Sequence, residues 1–153
     1  MIFIHYGSSV FDPNKFKEVK NSNPAWYKPL AGTGLWASPV NSEWGWIDWC
    51  EAEQFGNSRQ SESFKFELSD DSRIYTIDSL SDLKRLPTIK STYGGGWHGL
   101  NFEKIAESFD AILLTIQGES ETRFSRPFTL YGWDCECLLV LNGRKIKQLT
   151  EVH

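Results

Sequence analysis

Cysteine is scarce in this sequence, and the three that occur exclude as much as they suggest. No Cys-x-x-Cys pair and no histidine cluster accompanies them, so the spacing of a zinc site is missing. Cys135 and Cys137 are two apart on a predicted strand and share a face, a poor geometry for a disulfide between them. Free thiols fit a reducing, cytoplasmic setting. Long apolar runs are missing too. The opening MIFIHYG has four apolar residues before a histidine, too few for a signal-peptide core or a membrane span. Basic charge is also low: 16 Lys and Arg stand against 20 Asp and Glu, a net charge of −4. That balance lacks the basic stripe of a nucleic-acid-binding surface. It leaves room for a small anionic cofactor held by backbone N–H groups. Linkers, repeats and low-complexity tracts are absent, so the 153 residues read as one domain, 1–153, able to bury a core without staples.

Aromatic residues are abundant instead. They make up 14% of the chain and include seven tryptophans. Trp26, Trp36, Trp44, Trp46 and Trp49 crowd into one stretch. Most such side chains build cores, and one or two are expected to line a pocket.

The pattern of elements predicts an α+β protein of six to eight short strands with a few short helices. FIHYGS reads as a first strand and LWASP as a short strand stopped by Pro39. Between them, breakers at Asp12-Pro13, Asn23-Pro24, Lys28-Pro29 and Gly32-Thr33-Gly34 mark a loop. Asn41 or Ser42 is a cap for a helix over 43–54, ended by Gly56. SFKFEL and RIYTID read as strands, SLSDLKRL and NFEKIAESF as short helices, and TYGGGWHG as a loop. AILLTI is a buried strand. FTLYGWDCECLLVLN is one long strand or two broken at Gly132, and Asn142-Gly143 turns it into a hairpin with RKIKQLTEV. Helices do not alternate regularly with strands, which disfavours a doubly wound parallel sheet.

Three features point to chemistry when taken together. IHYGS ends the first strand with His5 and Gly7, GTGLWASP brings Trp36 onto a strand after a Gly-rich loop, and Glu136 opens the apolar run ECLLVLN. Each has a plain structural reading alone: a hydrogen-bonded strand-end histidine, a core tryptophan, an edge carboxylate. Together they resemble the diphtheria-toxin and poly(ADP-ribose) polymerase-like branch of the ADP-ribosyltransferase superfamily. That branch carries a His–Gly–Ser/Thr strand, a Gly-x-Tyr strand and a Glu opening an apolar strand. The resemblance runs from His5 to Leu149 and is similar to small bacterial and phage members. Trp36 stands where that branch has Tyr, and Tyr6 intervenes between His5 and Gly7.

The resemblance implies a fold of split sheets of short, mostly antiparallel strands. It implies a mono-ADP-ribosyltransferase that cleaves the nicotinamide–ribose bond of NAD as co-substrate, needs no metal, and transfers ADP-ribose to a macromolecular acceptor. The acidic charge favours a protein acceptor over nucleic acid, and no membrane partner is expected. Glu136 is then the catalytic carboxylate, stabilising an oxocarbenium-like state as in glycoside hydrolysis. His5 faces the adenosine ribose, unless Tyr6 takes its place, and the backbone of Tyr6 or Gly7 holds the carboxamide. Trp36 sandwiches nicotinamide with Trp46 or Trp49, while Ser8 and Ser38 add hydroxyls. Asp134, two residues before Glu136, resembles the acid that orients the acceptor in arginine-modifying members. Small stand-alone members act as phage or mobile-element effectors, toxins or defence inhibitors. Two other readings stay open: a catalytically inactive module that binds a nucleotide or protein partner, and a surface that stacks on sugars or bases.

Overall fold

The computed structural model describes residues 1–23, 25–55, 62–92 and 96–150. Nine strands and four α-helices follow one another as β1 (Phe3–Tyr6), β2 (Leu35–Pro39), α1 (Trp46–Ala52), β3 (Ser63–Leu68), β4 (Ile74–Ile77), α2 (Leu80–Lys84), β5 (Thr88–Lys90), β6 (His98–Leu100), α3 (Phe102–Ile105), β7 (Ala111–Leu114), α4 (Ile116–Thr122), β8 (Cys137–Val140) and β9 (Ile146–Gln148) among the described residues. Seven strands form one sheet in the order β4-β7-β8-β2-β1-β3-β9, and β5 pairs with β6 in a small separate ladder. Every neighbouring pair is antiparallel except β4 with β7. The architecture is therefore α+β, as the sequence pattern predicts, with nine strands among the described residues rather than six to eight and with a mostly antiparallel sheet.

Burial explains the strand order. β7 and β8 are buried at every residue, and their continuous apolar runs suit interior strands covered on both faces; β7, like β3, lies one strand from an edge. β3 alternates, with Phe64 and Phe66 inside and Lys65 and Glu67 outside, and lies one strand from the edge. Leu138 and Val140 join Phe3, Ala37, Phe64 and Phe66 on one side of the sheet. Cys137 and Leu139 join Trp133, Ile112, Leu114 and the helix residues Leu83, Phe102 and Ile105 on the other. Successive strand residues point to opposite faces, so these two clusters fix the face of each neighbour.

Several boundaries differ from the pattern. α1 begins at Trp46, with Gly45 at its cap, because Pro39–Glu43 is spent on turns: Ser42 N–H bonds the Pro39 carbonyl and Ser42 Oγ accepts from Trp44 N–H. α4 is unanticipated; Thr115 caps it by accepting from Gly118 N–H. Only Cys137–Val140 of the long predicted strand is extended. The Asn142-Gly143 turn does not make a hairpin: a 3-10 turn over Gly143–Lys145 carries the chain to β3, where β9 pairs. The Trp97–Gly99 part of the predicted loop runs into β6. The Gly56 helix stop, Pro24 of the Asn23-Pro24 break and the 93–95 part of the glycine loop lie outside the described residues.

The charge most committed to the fold is Asp110, only 2% exposed. An unpaired carboxylate there would cost several kcal/mol. Its oxygens accept from the Arg73 backbone N–H at 2.8 Å, the Arg73 guanidinium at 3.4 Å and Asn142 Nδ2 at 3.1 Å. Burial alone would raise its pKa, but these donors together hold the carboxyl below its ordinary value. Asp110 thereby ties the start of β4 to the end of β8.

Candidate functional site

The three motif strands, distant in sequence, lie side by side as β8-β2-β1. Gly34 lets β2 begin there. Its φ is +69°, and a Cβ on it would meet Val19 at 2.9 Å, Leu139 at 3.0 Å and the Val140 carbonyl at 3.1 Å. A side chain at this position would push β2 off β8. Gly7 closes β1 with φ +125°, and its N–H bonds the Glu62 carbonyl at 3.0 Å.

Register then orders the side chains. Ile4 lies opposite Ser38 on β1 and β2, and Trp36 opposite Leu139 on β2 and β8. Alternation puts Ile4, Tyr6, Trp36, Ser38 and Cys137 on one face. His5 lies opposite Phe64, with their ring centroids 5.2 Å apart, on the other. α1 covers the first face because Ser38 Oγ accepts from Trp46 N–H at 3.0 Å, which pins the start of the helix to β2. Trp44 clamps the approach to β8: its Nε1 donates to the Asp134 carbonyl at 3.1 Å and its own carbonyl accepts from Glu136 N–H at 2.8 Å.

Between α1 and this face lies a cavity of about 360 Å³, inside the range usual for small-molecule sites. Its walls are largely aromatic, with Tyr6, Trp36, Trp46, Phe55 and Trp133. Trp36 meets Trp133 edge to face at 4.8 Å and 82°. Trp133 is buried and donates from Nε1 to the Tyr27 carbonyl at 2.7 Å, which holds that wall rigid. Burial, with Asp48 and Cys50 nearby, pushes the Tyr6 phenol pKa up.

Of the residues the sequence singles out, Tyr6, Trp36, Ser38, Trp46 and Asp134 line this cavity, and His5 borders it although its ring packs on Phe64 across the sheet, so alternation gives the cavity face of β1 to Tyr6 and not, as expected, to His5. Trp49 is not among its lining residues; it stacks on Trp46 at 5.1 Å and 17° and supports it from behind. Ser8 lies in a neighbouring groove and donates to the Val10 carbonyl at 3.2 Å. Gly7 sits beside His5 at the end of β1. Glu136 is half-buried and is not among the lining residues; the carboxylate on the wall is Asp134, paired with Arg123 at 3.1 Å. His5 donates from Nδ1 to the Trp36 carbonyl at 2.6 Å, since a carbonyl can only accept. Burial lowers its pKa against the pull of that bond and so favours the neutral ring.

Sequence reasoning missed the thiols. Cys50, Cys135 and Cys137, every cysteine of the chain, line this one cavity. The Cys137 thiol beside it holds Cys135 below the usual thiol range, helped by Ser38 and opposed by burial, while Cys135 and burial push Cys137 well up. Two apart in sequence, Cys135 and Cys137 fall on the same side, the one that Trp36 shares across from Leu139, and both line the cavity. Their two-residue spacing was the only signal. Lys28 also lines the cavity and is its one Lys or Arg among the described residues.

Comparison with known proteins finds no family model, curated protein or solved structure that matches this chain. Among the described residues no group of three or more His, Cys, Asp or Glu is arranged to hold a metal ion, and no helix is long and apolar enough to cross a membrane.

Proposed function

We propose that the chain is an ADP-ribosyltransferase-like domain that binds NAD at the Trp36 cavity and transfers ADP-ribose to a macromolecular acceptor. The observation that carries this reading is the adjacency of β8, β2 and β1 around one aromatic cavity. Three short motifs separated by up to about 130 residues of sequence converge on it, with a carboxylate, a cation and stacking surfaces at hand.

In this reading Trp36 and Trp46 flank the nicotinamide ring, and a cationic ring over an indole gains about 0.5–2 kcal/mol. Tyr6 takes the first-strand position toward the ring. His5, bonded to the Trp36 carbonyl, holds the indole-bearing strand in place. Lys28 meets the anionic pyrophosphate. Asp134 presents its carboxylate to the ribose, where positive charge develops as the nicotinamide–ribose bond breaks, and the acceptor nucleophile supplies the new bond. Removing one such electrostatic contact typically lowers the rate by about 10²–10³. Glu136, which the motif resemblance assigns to this role, stands two residues further on.

The position of Glu136 outside the lining supports a second reading, a domain that binds NAD or a related nucleotide without turning it over. Nicotinamide release separates the two. Wild-type protein with NAD releases nicotinamide under the transferase reading, and a tight, heat-releasing association with no release marks the binding module.

A further inference from the structure

A second cavity, of about 420 Å³, opens on the surface beside the first. Aromatic side chains from distant segments build it. Trp26 and Tyr27 come from the loop before β2, Trp97 precedes β6, and Phe124 and Tyr131 flank the segment after α4. Phe124 is 77% exposed and Tyr131 51% exposed. Their rings lie 5.9 Å apart, and Tyr131 meets Tyr27 at 6.5 Å. Large aromatic faces left this open on a folded domain mark a contact surface.

The unpaired charge of this cavity, among the described residues, is cationic. Arg123 and Arg126 line it, and no Asp or Glu does among the described residues. Arg123 lies over Phe124 at 5.7 Å and Tyr131 at 5.5 Å, and is paired with Glu119 and Asp134. Arg126 stacks over Trp97 at 4.6 Å. No carboxylate among the described residues lies within ion-pair distance of Arg126, so its charge is available to an incoming anion.

We propose that this cavity binds an unpaired nucleotide of a single-stranded nucleic acid, the base stacking on Tyr131 and Phe124 and the phosphate meeting Arg126. Planar rings match a base face whatever its sequence, and arginine adds a charge-assisted contact to the adjacent phosphate. The unpaired Arg126, with no Asp or Glu lining the cavity among the described residues, disfavours a cationic ligand such as a methylated lysine. A duplex keeps its bases stacked and offers none to these rings. The net charge of −4, which argues against nucleic acid when averaged over the chain, says nothing about a local pair of arginines. This site does not depend on NAD.

The test is fluorescence anisotropy of the full chain with labelled oligouridylate and oligothymidylate of about eight nucleotides, and with a duplex of the same length. The single strands are expected to bind, RNA and DNA arms showing whether a 2′-hydroxyl matters, and the duplex to bind at least about tenfold more weakly. Tyr131→Ala or Phe124→Ala should weaken single-strand binding about tenfold. Tyr131→Phe should leave it nearly intact. Arg126→Ala should reduce the slope of affinity against salt by about one. Melting curves confirm that these surface variants stay folded. Absence of single-strand binding, equal binding of duplex, or affinity untouched by all three truncations overturns the proposal. Stronger competition by a phosphotyrosine peptide than by the oligonucleotide overturns it in favour of a protein partner.

Discussion

Arg123 and Asp134 hold one another across the wall between two aromatic cavities. Arg123 Nη1 lies 3.1 Å from Asp134 Oδ1, with Asp134 lining the first cavity and Arg123 the second. Glu119, one helical turn back on α4, holds the same Nη1 at 3.1 Å. The pair is partly solvent-exposed, so its net stabilisation is modest, on the order of 1 kcal/mol or less. Its position matters more than its strength. Arg123→Gln is expected to weaken oligonucleotide binding and lower nicotinamide release together, whereas Arg126→Ala should affect the oligonucleotide alone. Measuring both activities on both variants checks this; an Arg123→Gln protein that loses only one of them shows that the cavities are independent.

Trp36 supplies a spectroscopic handle on the first cavity. NAD binding is expected to quench tryptophan emission, since an electron-poor cationic ring stacked on an indole accepts an electron from its excited state. Trp36→Ala should reduce the quench and weaken binding by about tenfold. An emission spectrum unchanged by NAD, with no heat in calorimetry, removes the nucleotide from this cavity.

The cavity thiols give a chemical footprint. Cys135 lies on the wall with its pKa lowered beside Cys137, and lower thiol pKa favours the reactive thiolate. Iodoacetamide is therefore expected to modify Cys135 before Cys137, slowly because both are buried, and NAD should protect it. Peptide mass spectrometry after timed alkylation reads both effects. Modification unaffected by NAD, or faster at Cys137, contradicts the placement.

Asp110 predicts how stability depends on pH. Its folded-state pKa is depressed, so the stabilisation is fully present above the ordinary aspartate pKa of about 3.9 and is lost as pH falls through the lower folded value. Asp110→Asn should cost about 1–3 kcal/mol at neutral pH, a fall in Tm of several degrees for a domain of this size, on the order of 2–4 °C per kcal/mol. The difference from wild type should narrow in acid. A Tm difference that is constant from neutral pH to about pH 3 contradicts the charged role.

Much of the sheet was legible because local rules and packing agree there. SFKFEL alternates as burial requires and AILLTI is a continuous apolar run that is buried throughout β7, and Ser79 and Asn101 cap their helices as their side chains predict. α4 escaped because its segment, IQGESET, contains a glycine and few apolar residues. It is held by the Thr115 cap and by a glycine so close to the Ile77 carbonyl that no side chain fits. The β9 partner was illegible for another reason: Asn142-Gly143 favours a hairpin locally, but β8 already has β7 and β2 on its two edges, so the chain must travel to β3.

At the site, the aromatic wall was partly readable and the inward-facing residues of the last motif were not. Trp36 was legible from its strand, but the sequence left Trp46 and Trp49 open and set His5 before Tyr6, whereas Tyr6 shares the cavity face of the strand with Ile4. Cys135 and Cys137 keep strand parity, whereas Asp134, just before the bend at Cys135–Glu136, lines the wall against it. Nothing in WDCECLLVLN announces the bend. It arises from Trp44, whose indole and carbonyl seize the backbone at Asp134 and Glu136 from ninety residues upstream.

The account turns on whether the cavity acts on NAD, and nicotinamide release decides it most directly. Purified wild-type protein, Trp36→Ala, Asp134→Asn and Glu136→Gln are incubated with NAD, and free nicotinamide is quantified alongside a melting curve for each. The account predicts release by wild type, a fall of about 10²–10³ in kcat for Asp134→Asn with KM little changed, as expected for a contact made mainly in the transition state, and a raised KM for Trp36→Ala. If Glu136→Gln instead carries that loss while Asp134→Asn turns over normally, the acid has been assigned to the wrong residue. Folded wild-type protein that neither binds NAD nor releases nicotinamide contradicts the account as a whole.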